Sequence, residues 1–202
     1  MEAIELAGEF IGDVEAGAPH FLEPACRQVR TLIRLARGDD PGALADCERL
    51  LSTDDADPQS RLAALGGAVR TLVEVNRGEQ ARPLLDEAVK YLKQEGPGVP
   101  DIAVAAADLG ALVASDVAGT RRWTDAARLM VSGDFVAAAD IYATIGSLPD
   151  EADARLRAAR ALVEAGRRPE ADAQLQRALA FYRSVGATRY LRQGEALLAA
   201  SA

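Results

Sequence analysis

Aromatic residues make up only 4% of the chain, and histidine occurs once. With so few rings, alanine, leucine and valine must do the packing, and such small-residue interfaces suit helices that approach closely. No long alternation of apolar and polar residues is present, and no Asn-Gly or Asp-Gly hairpin turn occurs, so strand signals are weak. Two cysteines, Cys26 and Cys47, form neither a disulfide framework nor a metal-ligand spacing. Both sit among apolar residues and are expected as buried, reduced thiols. The lone His20, in "GAPHFLEP", has no second histidine to share a metal or a proton relay, so it reads as a capping or solvated residue.

Other absences narrow the function. No G-x-x-x-x-G-K-[ST] loop is present, which removes the phosphate cradle of a nucleotide-hydrolysing domain. Ser115, Ser132 and Ser184 lack elbow glycines. The acidic tracts "STDDADP" and "LPDEAD" lack the spaced ligands and glycine of a calcium loop. No apolar run approaches the roughly 18 residues of a membrane span, and "MEAI" does not open a signal peptide. The formal net charge of −8 would repel a free nucleic acid on average. The expectation is a cytoplasmic, non-enzymatic protein with no catalytic, cofactor or metal residues, no nucleic-acid or membrane partner, and no cofactor.

What the chain does contain is repetition. Of its 202 residues 49% are hydrophobic, enough for one domain or a short helical array. Gly133 and Gly166 each open a segment with small or apolar residues at the same offsets: Ala138, Tyr142, Ile145 and Ala171, Leu175, Ala178. Offsets of i, i+4 and i+7 share one helical face. Gly38 introduces Ala43, Cys47 and Leu50; Gly78, by a tighter turn, introduces Ala81, Leu85 and Ala88. Each glycine also ends a preceding helix, where glycine accepts the left-handed conformation freely. Each unit therefore reads as a helix A, a tight turn and a helix B.

The pairs are expected at 21–37 with 41–52, 58–76 with 79–95, 121–132 with 134–146, and 149–165 with 168–185. Pro58, Pro149 and Pro169 fall near helix starts, where a missing N–H costs nothing. Residues 2–16 form an amphipathic helix with Ile4, Ala7, Ile11 and Val14 on one side, and "TRYLRQGEALLAA" supplies a terminal capping helix. Residues 96–120 stand apart. After "EGPGVP", the stretch "DIAVAAADLGALVAS" at 101–116 is apolar all round, so it is either buried between neighbours or an interface for self-association. The expected domain is a single array over 1–202: a helix and two pairs in 1–95, the apolar insert at 96–120, and two pairs plus a cap in 121–202.

"GDFVAAADIYATI" and "GRRPEADAQLQRAL" resemble tetratricopeptide repeats, with Ile145 and Leu175 replacing the usual small and aromatic residues. The resemblance implies an all-α, right-handed solenoid of antiparallel helix pairs, about ten to eleven helices in all. Residues 120–202, with "WTDAARLMVSGDFVAAADIYATIGSLPDEADARLRAA", also resemble the carboxyl-terminal tail of actinobacterial LuxR-type and adenylate-cyclase-like AAA ATPase signalling regulators. In those proteins the tail senses or binds partners and the ATPase lies upstream. The resemblance implies a detached tail of such a regulator or a stand-alone relative, and the opening, already in helical pattern, fits an excised piece.

Candidate partner-binding residues follow from the A helices, which line the concave face of such solenoids. Arg27, Arg30, Arg34 and Arg37 form one stripe, opposite Leu22, Ala25, Val29, Leu32, Ile33 and Ala36. The stripe is either a basic groove for an acidic protein or peptide partner, or a solvated face paired with Asp39, Asp40, Asp46 and Glu48. Arg121 and Arg122 with Arg128, and Arg157 and Arg160 with Arg155, lie on other A helices. Trp123 is a packing anchor or a ligand platform. Three functions remain open: docking of a partner segment, sensing of a small-molecule inducer in a pocket lined partly by Trp123 or Tyr142, and self-association.

Overall fold

The computed structural model describes residues 3–18, 20, 22–52, 58–95 and 121–199. The fold is all-α, built of antiparallel helix pairs of tetratricopeptide type, with ten helices among the described residues. The apolar stretch at 101–116 and the rest of 96–120 lie outside the described residues. The chain divides into two compact units, Met1–Leu109 and Gly110–Ala202.

Unit 1 holds α1 (Ala3–Glu15), α2 (Glu23–Arg37), α3 (Asp40–Leu51), α4 (Pro58–Glu74) and α5 (Gly78–Glu95). Consecutive helices pack on one another, and α2 also touches α4, so neighbouring A helices lie side by side. Ala43, Cys47 and Leu50 of α3 and Ala81, Leu85 and Ala88 of α5 are all buried, as their offsets predict. Ala7 and Ile11 bury the inner side of α1. Cys47 lies in the core, whereas Cys26 is only half-buried, a correction to the expectation of two buried thiols. Cys26 falls one position before the buried side of α2 at Arg27, Thr31 and Leu35, and helical geometry swings it partly outwards.

Unit 2 holds α6 (Arg122–Ser132), α7 (Phe135–Ile145), α8 (Leu148–Glu164), α9 (Arg168–Val185) and α10 (Thr188–Ala199). Its interfaces are built from alanine. Ala138, Ala139, Ala154, Ala159, Ala171 and Ala178 are each fully buried. Such residues add little area individually, yet they let helix axes approach and bring Leu156, Leu175 and Leu179 into contact range. Full burial of a leucine is worth about 1.5–3 kcal/mol. Tyr182 and Tyr190 stack with ring centroids 4.9 Å apart and pin α10 to α9.

The turns behave as their sequences require, with one exception. Gly38, Gly133 and Gly166 take positive φ, as do Gly146 and Gly186. Gly78 does not: α4 stops at Glu74, Asn76 takes φ 60°, and Gly78 opens α5 instead. Asparagine is one of the few non-glycine residues that tolerate this conformation, so the left-handed residue sits two positions earlier than expected. Asp39 and Asp134 cap α3 and α7 by accepting from the Gly42 and Ala137 amides at 3.0 and 3.3 Å.

Gly194 on α10 is held by a close approach. A Cβ there would lie 2.7 Å from Leu179 Cδ2 and 3.1 Å from Leu175 Cδ1. Gly194→Val should cost about 1–3 kcal/mol from overpacking and speed tryptic cleavage within α10. Gly194→Ala should cost less, because alanine recovers about 1 kcal/mol of helix propensity. Equal proteolysis of all three forms would show that α10 is not docked through this contact.

Candidate functional site

The arginine stripe of α2 turns inwards. Arg27 is 3% exposed, while Leu22 and Val29 on the opposite side are 43% and 46% exposed. What draws the stripe inwards is Asp46 on α3, whose side chain is 3% exposed. Arg30 grips it with two bonds, Nε to Oδ2 at 2.8 Å and Nη2 to Oδ1 at 2.6 Å. Arg34 donates to Asp46 Oδ2 at 2.9 Å and to the Gly42 carbonyl at 3.1 Å. Arg27 Nη1 lies 3.6 Å from Asp46 Oδ1.

Three guanidiniums on one carboxylate need further anions. Arg27 donates to Glu23 and to Glu15 at 2.7 Å each, and Arg34 Nε lies 3.6 Å from Asp39. The hydrogen bond from Arg27 holds the Glu15 carboxyl below its ordinary range. The planar fork of arginine makes such shared, bidentate contacts geometrically natural. Of the counter-ions expected from the sequence, Asp46 pairs out of contact with solvent, whereas Asp39 stays half-exposed. Arg37 stays exposed at the end of α2.

Unit 2 has its own buried cation. Arg155 of α8 is 1% exposed and bonds to three helices. It donates to Glu151 at 2.7 Å, to Gln174 of α9 at 2.7 Å and to Asp140 of α7 at 3.3 Å. Sequence reasoning grouped Arg155 with Arg157 and Arg160 and missed its separate role. The available signal was its flanking: Ala152, Ala154, Leu156, Ala158 and Ala159 surround it in sequence, leaving no solvent-facing stripe for it to join.

The remaining candidates stay at the surface. Arg121, Arg122 and Trp123 cluster at the start of α6, and Arg160 is exposed on α8. Thr124 fixes the helix start by accepting from the Arg121 amide at 3.0 Å. Trp123 is 40% exposed, and its ring meets that of buried Tyr142 edge-on at 5.9 Å, so one ring both packs and presents area. Arg157 pairs with Asp153 at 3.1 Å. Among the described residues, the guanidiniums of Arg121, Arg122 and Arg160 have no ion-pair partner. His20 Nδ1 accepts from the Leu22 amide at 3.1 Å in the exposed turn before α2, which has no side-chain cap of its own.

Among the described residues no group of three or more His, Cys, Asp or Glu side chains could hold a metal ion. No helix among them is long and apolar enough to cross a membrane.

The tetratricopeptide repeat family profile matches residues 129–192, from the end of α6 into α10. That stretch is thus a tetratricopeptide-like region. No curated protein and no solved structure matches the chain.

Proposed function

We propose that the chain is a non-enzymatic docking scaffold whose second unit takes up an acidic segment of a protein partner. The carrying observation is the contrast between the two sets of arginines. Arg27, Arg30 and Arg34 are committed to Asp46, whereas Arg121, Arg122 and Arg160 are exposed without an ion-pair partner among the described residues. Tetratricopeptide repeats generally mediate protein–protein interaction, and Arg160 lies inside the matched region. Trp123 adds a half-open ring beside the charges, and aromatic and arginine side chains together dominate binding hot spots.

The overall charge of −8 opposes an acidic partner at long range. At physiological salt that field is screened beyond about 8 Å, so the arginines in contact decide the outcome. The likeness of 120–202 to tails of LuxR-type and cyclase-like regulators supports placing the scaffold in a bacterial signalling or transcriptional regulator.

A fluorescent glutamate-rich peptide tests the reading by anisotropy. Replacing Arg121, Arg122 and Arg160 by alanine together should weaken binding at least about tenfold and flatten its salt dependence. Unchanged affinity and salt slope would sink the proposal.

A further inference from the structure

Unit 1 carries a cavity of about 270 Å³ between α3, α4 and the start of α5. Leu44, Leu51, Leu72 and Leu84 give it apolar walls, and Cys47 lies among them. The volume is below the usual range for drug-sized ligands, so the cavity suits a small ligand.

Three polar side chains share these walls: Glu48, Arg77 and Gln80, all exposed. Among the described residues none of the three has a side-chain hydrogen bond or ion pair. Other arginines of this unit do not behave so. Arg27, Arg30, Arg34 and Arg61 all hold carboxylates, Arg61 by two bonds to Glu87 at 2.8 and 3.0 Å. A guanidinium and a carboxylate lining one apolar cavity, yet not paired with each other, match a ligand that carries both charges.

We propose that this cavity binds a free zwitterionic α-amino acid with a short branched aliphatic side chain, of leucine size. Its carboxylate meets Arg77, whose fork donates to both oxygens. Its ammonium meets Glu48, its side chain fills the space between the leucines, and the Gln80 amide can donate or accept beside the head group. A bare alkyl carboxylate would leave Glu48 facing a like charge, and a bare alkylamine would do the same to Arg77. Binding is non-covalent: burial pushes the Cys47 thiol up, which withholds the reactive thiolate at neutral pH. The site lies in unit 1 and stands or falls independently of acidic-segment docking in unit 2.

The test titrates the full chain with L-leucine, read by calorimetry and by methyl NMR shifts. Parallel titrations use 4-methylpentanoate, which lacks the ammonium, and 3-methylbutylamine, which lacks the carboxylate. Saturable leucine binding is expected, weakened at least about tenfold in each analogue and in each of Glu48→Gln and Arg77→Gln. Both substitutions are at exposed positions, and the analogue titrations on the unaltered chain remain decisive if a variant fails to fold. No saturation by about 10 mM leucine, equal binding of either analogue, or an effect from only one of two folded variants overturns the proposal.

Discussion

Asp46→Ala should destabilise the chain by about 3–5 kcal/mol, the range for removing one partner of a buried ion pair. Three arginines converge on this carboxylate at 2.6–3.6 Å. Without it, two of them lose their shortest contact, and three neighbouring guanidiniums of α2 are left without their shared counter-charge from α3. Arg27 keeps Glu15 and Glu23, so the burden falls on Arg30, whose bonds to Asp46 are its shortest. Asp46→Asn separates charge from shape: it retains the volume and one acceptor, and most of the loss should persist. Urea denaturation followed by circular dichroism measures both. A loss below about 1 kcal/mol, the worth of an exposed pair, would mean that water can replace the network.

Arg155→Ala should cost about 3 kcal/mol, by a different mechanism. Glu151 keeps Arg177 at 2.9 Å, and Asp140 is 66% exposed and can return to solvent. Little uncompensated charge is therefore left behind. The cost comes from the volume of a fully buried side chain and from the lost link between α7, α8 and α9, in the range for large-to-small core changes. Arg155→Met restores most of the packing without the hydrogen bonds and should recover half of the loss or more. Amide hydrogen exchange in α7–α9 provides the readout. Equal losses for alanine and methionine would assign the cost to the hydrogen bonds alone.

These two arginine sites mark where sequence reasoning reaches its end. The helix pairs were legible because their signals are local. Turn glycines, prolines near helix starts and small residues at i, i+4 and i+7 each act within one or two turns of helix. All the residues read from those offsets are buried except Ile145, which is half-buried at the end of α7. The orientation of α2 was not legible. Its arginines and its apolar residues form opposite stripes, and hydrophobicity alone turns the leucine side inwards. In the structure Arg27 is buried beside Thr31 and Leu35 while Leu22 and Val29 are exposed, because Asp46 and Glu15, on two other helices, supply the counter-charges. No pattern within α2 encodes that partnership. The cavity was hidden for the same reason: Glu48 and Arg77 lie on different elements, and only packing brings them to the same walls.

The contacts of each helix fall mainly on the next one or two along the chain. Little chain entropy has to be surrendered to close a loop before contacts reward it. Folding should therefore be fast, in the microsecond-to-millisecond range of proteins rich in local contacts. A helix pair can also begin to form as soon as it has been synthesised, without waiting for a distant strand or domain. The same tight turns that set the pairs apart in the sequence thus protect the chain, by shortening the time its alanine- and leucine-lined faces stand open to other molecules.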